Sequence, residues 1–295
     1  MTAYKKHAVL LIGFSRPIHM SKVLSKIENY YPDELYIFVD GVSDMASQET
    51  LENNSKVIEL ANNFSGAKNI NIKISHQNLG CGVGPVSAID WALSKEDEII
   101  ILEDDCVPIP DFFNYMDKNL EELRNSECMM ISSNKYDRFP QFGKSIKTRF
   151  TFTHGWATWK KSWSHYDYRL NMFNTNDLID KNLTLKNNKN IWTKVAQEIK
   201  SGKNISYWDY QWQFSVWNNN GWSLQPPRNL SSNIGFDELS THTSGRDWRE
   251  SIKAIDKSAP IKSGFVEIGV LHNFVISIYK GSLPGYIYRL FRFKI

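Results

Sequence analysis

Three acids in a row, Glu103, Asp104 and Asp105, follow an apolar run at residues 99–102 and precede Pro108 and Pro110 in EIIILEDDCVPIPDFF. Adjacent carboxylates repel one another. Either the triplet is a solvated acidic turn, or a cation and its anionic ligand gather there. The apolar run is too short for a helix and sufficiently β-branched for a strand buried on both faces, so the acids stand at its C-terminal end. In an open α/β sheet that end faces the ligand crevice.

Other residues of the right chemistry fall at equivalent places. Asp40 and Gly41 end a second apolar stretch at 35–39, and parallel strands bring their C-termini to one side. A carboxylate there either accepts hydrogen bonds from a base or ribose, or caps the next turn. Arg16, just after the apolar stretch at 8–14, is a third candidate for the same crevice. The turn HQNLGCGVGP holds Asn78, Gly80, Gly82 and Gly84 between a strand and a helix. It either cradles a phosphate at a helix N-terminus or needs glycine for positive φ. Its G-x-G-x-G spacing matches neither a dinucleotide fingerprint nor a P-loop.

Asp209 lies in YWDYQWQF. On a helix, Trp208 and Trp212 share a face and Asp209 projects about 100° from Trp208. An acid beside aromatic walls is partly desolvated and is a stronger base for it; the other reading is a first-turn acid favoured by the helix dipole. His154, His242 and His272 are each ligands or satisfied polar residues. His242, loop-borne in STHTSG, has the most ligand-like context.

The elements that must position these groups alternate. Apolar stretches at 8–14, 35–39, 70–74, 99–102 and 129–132 read as strands. Helical segments follow at 17–30, around 57–60, around 88–93 and at 111–123, Pro17 standing where a helix tolerates it best. This rhythm predicts an α/β fold with a parallel, doubly wound sheet over residues 1–133. Beyond Ser133 the texture changes. Residues 134–153 read as loop or a short hairpin, 190–200 and 208–219 as helices stopped by Gly202 and Gly221, and the chain after Asn229 as loop until Phe265. Nine of the ten tryptophans lie between Trp156 and Trp248 and either build a second core or line a sugar-stacking cleft, core being the safer reading for any one of them.

Composition narrows the classes. A hydrophobic fraction of 41% supports a sizeable core, and a net charge of +3 is too small to argue for nucleic acid. Cys81, Cys106 and Cys128 have no metal-ligand spacing and read as ordinary buried thiols in a reduced compartment. The N-terminal lysines and short apolar stretch read as a first strand and not as a signal. No apolar run approaches the ~20 residues of a membrane helix. The expected location is cytoplasmic.

With ILEDDCVPIPDFF, HGWATW, WDYQW and QPPRNLSSNIGF in view, residues 8–245 resemble the GT-A inverting glycosyltransferases. The likeness is to the N-acetylglucosaminyltransferase I group and, more closely, to bacterial sugar transferases of polysaccharide biosynthesis. It implies a GT-A-type, Rossmann-like, mostly parallel sheet flanked by helices. Residues 1–133 would be the nucleotide-sugar-binding half, 134–260 the Trp-rich acceptor-side half of the same catalytic domain, and 261–295 a C-terminal extension. It also implies transfer from a nucleoside diphosphate sugar to a hydroxyl of a glycan or lipid-linked glycan, with Mn²⁺ or Mg²⁺ as cofactor. By position, Asp105 binds the metal, while Glu103 and Asp104 contact ribose or diphosphate; apart from the resemblance, loop-borne His242 is the candidate for a second metal ligand. Arg16 and Asp40, with Gly41, Asn78 and Gly80 beside them, hold the nucleoside, and Asp209 is the base. The family pattern has two adjacent acids where this chain has Asp209 and then Tyr210. A sugar-phosphate nucleotidyltransferase would instead carry a Gly-rich, basic loop after its first strand, where GFSRP has one glycine. A non-catalytic carbohydrate-binding protein would need the tryptophans but neither metal nor base.

The C-terminal GYIYRLFRFKI mixes Tyr286, Tyr288, Phe291 and Phe293 with Arg289, Arg292 and Lys294. Such a tail either packs on the domain or binds an anionic membrane surface peripherally, each cation contributing about 1 kcal/mol there. Membrane contact predicts that flotation with anionic liposomes recovers more full-length protein than a variant ending at Leu283. Equal recovery assigns the tail to packing.

Overall fold

The computed structural model describes residues 4–135, 143–174, 176, 189–202, 207–235, 253–254 and 261–267. His242, His272, Trp248 and the tail from 284 onward, all singled out in the sequence, lie outside the described residues.

Strands β1 (Ala8–Gly13), β2 (Glu34–Val39), β3 (Asn69–Ile74) and β4 (Glu98–Glu103) pair in parallel, in the order β3-β2-β1-β4. Helices α1 (Pro17–Tyr30), α2 (Gln48–Asn63) and α3 (Gly80–Leu93) are the crossovers. The continuous apolar runs of β1 and β4 are explained by burial on both faces. Val9, Leu11, Ile37, Ile100 and Leu102 face Met20, Val23 and Ile27 of α1 in one core. Leu10, Phe38, Ile99 and Ile101 alternate with them and face Ala88, Ile89 and Leu93 of α3 in a second. Each face is therefore an every-second-residue set, as strand geometry requires.

The expected uninterrupted parallel sheet is broken after β4. After a short β5 (Cys106–Pro108) and α4 (Pro110–Leu123), β6 (Cys128–Ser132) runs parallel to β4 but does not pair with it. Between them lies β8 (Trp156–Trp159), antiparallel to both, with Ile101 opposite Trp156. The HGWATW segment is thus a buried central strand. Residues 134–153, read as loop or hairpin, contribute β7 (Ser145–Thr148) to the same sheet. Completed by β9 (Trp222–Gln225) and β11 (Phe265–Glu267), the nine-stranded sheet runs β11-β7-β9-β6-β8-β4-β1-β2-β3. The fold is α/β with a mostly parallel mixed sheet flanked by helices. β10 (Ser231–Asn233) pairs separately with β5.

Short α5 (Lys160–Trp163) follows β8, and α6 (Lys189–Ser201) and α7 (Asp209–Asn218) complete the helices. The tryptophans resolve as core: Trp156, Trp163, Trp208 and Trp212 join the α3 side, while Trp192 and Trp217 build a third cluster with Phe150 and Phe214. Of the three thiols, Cys106 and Cys128 are buried as expected, but Cys81 is exposed, because the first turn of α3 points it away from the sheet.

At the opposite end of the sheet from the acid triplet, His7 is buried between two carboxylates. Its Nδ1 is 2.9 Å from Asp117 and its Nε2 2.9 Å from Glu98. Carboxylates only accept, so both ring nitrogens carry protons. Burial alone would lower the His7 pKa, but the hydrogen bonds and charges of Asp117 and Glu98 raise it to about 9. The folded state therefore holds a proton that the unfolded chain releases near pH 6.5. Its stabilising effect is full below that pH and lost as pH rises through about 9, a change of roughly 3 kcal/mol. Urea denaturation across this window should show unfolding free energy falling with pH, and His7→Gln should flatten the slope. An unchanged slope in the variant would refute the bridging role.

Candidate active site

Arg16 and the acid turn meet because of two local constraints. β1 ends at Gly13, and Pro17 occupies the first position of α1, so the chain between them turns at the C-terminal edge of the sheet and leaves Arg16 there in non-helical backbone. β4 is the parallel neighbour of β1, with Ile12 opposite Glu103. The acids that follow therefore arrive beside Arg16. Its Nη1 donates to Asp105 Oδ2 at 2.8 Å and stands 3.5 Å from Asp104 Oδ1. All three side chains are 11–16% exposed.

The acid turn is held from behind. The Phe14 N–H donates to Asp104 Oδ2 at 3.3 Å, and the Cys106 thiol to Asp105 Oδ1 at 3.4 Å. Burial, followed by the charges of Asp105 and Glu103, pushes the Cys106 thiol well above its ordinary range, so it stays protonated and can keep donating. The β10 strand supplies a strap. Asn233 is opposite Cys106, the Ile234 N–H donates to the Asp105 carbonyl at 2.9 Å, and His19 of α1 reaches the Ile234 carbonyl at 3.0 Å. Gly235 then passes so close that a Cβ on it would stand 2.8 Å from Arg16 Nη1 and closer still to Asp105 Oδ2. His154, just before β8, has its Nδ1 2.9 Å from the Asn233 amide nitrogen, so Nδ1 accepts and the ring proton is on Nε2.

Glu103 registers all of this charge. Burial first, then the carboxylates of Asp105 and Asp104, and finally Asp209, push its pKa up, with Arg16 opposing. Asp209 therefore lies within electrostatic reach of the acid turn, on the same side of the sheet. Its place is set by tryptophans. Trp208 and Trp212 bracket it on α7, and their rings lie 5.7 and 6.0 Å from that of Trp156, which pairs with Ile101 two residues before Glu103. Trp163 and Tyr166 stack at 4.4 Å beneath them, Trp163 Nε1 donating to Asp90 and Tyr166 to the Trp208 carbonyl. Asp209 is half-buried and also occupies the first turn of α7, where the helix dipole favours an acid.

On the other flank, Asp40 is a cap. Its Oδ1 accepts from the Gly41 and Leu79 N–H groups and its Oδ2 from Gly80, at 2.9–3.0 Å. Burial pushes its pKa up while the three backbone donors pull it down. Three of its four lone-pair directions are thus spoken for. Asn78 donates to the Gly41 carbonyl at 2.7 Å, and Asn54, unnoticed in the sequence, ties the Phe14 and Asp40 carbonyls together. A Cβ on Gly41 would meet the Ser75 and Gln77 carbonyls at 2.6 and 2.7 Å, so glycine is required there for close approach. Of the glycine-rich segment only Gly80, at φ 68°, needs positive φ; Gly82 and Gly84 are helical. His19, Asn54, Asn233 and Gly235 are the site residues that sequence reasoning did not single out. For the last two the signal was their presence in SSNIGF.

Among the described residues no three His, Cys, Asp or Glu side chains form a ready-made metal cage. Mg²⁺ and Mn²⁺ do not need one, since one or two carboxylates suffice when phosphate oxygens and water complete the shell. Asp104 and Asp105 fit that limited role: both already turn an oxygen toward one shared cation, Arg16.

No family model matches the chain, and no curated protein does. Among solved structures, a mannosyltransferase from Pyrobaculum calidifontis in complex with GDP-Man and Mn²⁺ is similar at 15% identity and a TM-score of 0.37, covering 66% of this chain and 53% of that one. The apo glycosyltransferase GlyE of Streptococcus pneumoniae TIGR4 gives 14% and 0.35 over 75% of this chain and 45% of that one. A cytidylyltransferase from Leptospira borgpetersenii gives 8% and 0.33 over 69% and 75%. This chain thus spans about half the length of the two transferases. Likenesses at scores and identities this low say nothing about the activity of this chain.

The cap role of Asp40 has a direct test. In Asp40→Asn an amide NH₂ would face either the Gly80 N–H or the Gly41 and Leu79 pair, donor against donor. The expected loss is about 1–3 kcal/mol of unfolding free energy in chemical denaturation. Wild-type stability in this variant would show that the carboxylate is not the cap.

Proposed function

We propose that the chain is a metal-dependent, inverting glycosyltransferase of GT-A type that moves a sugar from a nucleoside diphosphate sugar to a hydroxyl of a glycan or lipid-linked glycan. Bacterial surface polysaccharide synthesis is the setting that the sequence resemblance suggests. The observation that carries the reading is the coincidence, at the C-terminal edge of one sheet, of the Arg16-paired acid turn with a tryptophan-anchored Asp209 whose charge reaches Glu103.

In this reading Arg16, Glu103 and Asp104 flank the diphosphate and ribose, and Asp40, Gly41, Asn78 and Gly80 form the nucleoside side of the crevice. Asp105, with His242 as candidate second ligand, would hold Mn²⁺ or Mg²⁺, which would compensate the charge developing on the departing diphosphate. Asp209 takes the proton from the acceptor hydroxyl at its carboxylate as that oxygen attacks the anomeric carbon opposite the leaving group, and a single displacement needs a single base. The tryptophans favour an enzyme over a sugar-binding module. Those at 156, 163, 192, 208, 212 and 217 are buried, so they offer positioning and not an open stacking platform. The first strand is followed by Pro17 and α1, not by the glycine-rich basic loop expected of a nucleotidyltransferase.

Transfer from a panel of UDP-, GDP-, CDP- and dTDP-sugars should occur with inversion, and Asp209→Asn should lower turnover ~10²–10⁴-fold with donor binding retained. Turnover within a few-fold of wild type would remove Asp209 as base, and a retained anomeric configuration would remove the single-displacement mechanism.

A further inference from the structure

The acid turn already has a cation. Asp104 Oδ2 accepts from the Phe14 N–H and Asp105 Oδ1 from the Cys106 thiol, while Asp104 Oδ1 and Asp105 Oδ2 are on the side of Arg16. Both face Arg16 Nη1, at 3.5 and 2.8 Å. Gly235 passes over the pair without room for a side chain. A divalent ion that takes Asp105 must therefore contend with a positive charge resident on the same carboxylate, and two cations at one partly buried oxygen repel strongly.

We propose that Arg16 is the built-in counter-ion of the acid turn and exchanges with the divalent ion. This rests on the metal-dependent reading of the site. The ion gains Asp105 only when it arrives with a nucleoside diphosphate, whose phosphate oxygens add ligands for the ion and offer the released guanidinium a new anionic partner. Metal and donor then load together, and the crevice does not hold a bare ion between turnovers.

Mn²⁺ binding, read from the electron paramagnetic resonance signal of the free ion, tests the exchange in wild type, Arg16→Gln and Arg16→Lys, with Mn²⁺ alone and with UDP or GDP. Removing the resident charge should tighten binding of Mn²⁺ alone about tenfold or more, while Arg16→Lys should stay within about threefold of wild type. With nucleotide present, Arg16→Gln should bind the ion no more tightly than wild type. If Arg16→Gln binds Mn²⁺ alone no better than wild type, Arg16 is only a brace and the exchange is wrong. Wild type carries its own check should the variant fail to fold: equal Mn²⁺ affinity with and without either nucleotide overturns the proposal. The two readings fail separately. Tighter Mn²⁺ binding in Arg16→Gln without any effect of nucleotide on the protein would uphold competition for Asp105 while overturning coupled loading and the transferase reading. Stabilisation by a nucleoside diphosphate with no Mn²⁺ bound to any of the three proteins would overturn the exchange and leave nucleotide recognition standing.

Discussion

Repulsion among Glu103, Asp104 and Asp105 is the constraint on which the rest of the crevice depends. Three successive carboxylates at the end of a buried strand are tolerable only if something compensates them. Here the compensation is Arg16, the Phe14 N–H and a buried thiol that burial keeps protonated. The donors come from separate parts of the chain. β1 and the proline start of α1 place Arg16 and the Phe14 N–H, β5 brings Cys106, and the residue after β10, Ile234, ties down the Asp105 main-chain carbonyl. The site is thus a product of parallel pairing, which sends the ends of β1, β2 and β4 to one edge. It is also a product of the small β5–β10 sheet, which folds a distant segment back over the acids.

The aromatic half serves the same geometry by another force. Asp209 has no strand to carry it, and it is located by Trp208 and Trp212 packed on Trp156 of the antiparallel β8. The indole N–H groups of Trp156 and Trp212 find no acceptor among the described residues, so this cluster holds by area and ring contact. Because β8 sits between β4 and β6, the packing that fixes Asp209 is continuous with the strand that carries the acids. The two halves of the chain share one sheet.

Much of this was legible in the residues, and the limits have physical causes. β1, β2 and β4 declared themselves as apolar runs, and their acidic or glycine ends followed from strand polarity alone. Pro17 marked the start of α1, and the i, i+4 spacing of Trp208 and Trp212 marked the buried face of α7. Order within the sheet was not legible, because nothing local to WATW says that it inserts between two strands that precede it in the chain. Asp40 shows a second limit. A carboxylate after a strand serves a ligand or a helix start equally well, and only the approach of the Leu79 and Gly80 N–H groups reveals the cap. Gly235 shows a third, since its need for glycine comes from Asp105 and Arg16, more than a hundred residues away in the chain.

The central claim is that this crevice recognises a nucleoside diphosphate together with a divalent ion. Thermal-shift titration of the full chain with UDP, GDP, CDP and dTDP, each with and without Mn²⁺, measures that most directly. The account predicts that at least one of the four raises the melting temperature in a concentration-dependent way with Mn²⁺ and much less without it. No stabilisation by any nucleotide under either condition, or stabilisation by free sugars alone, would contradict it.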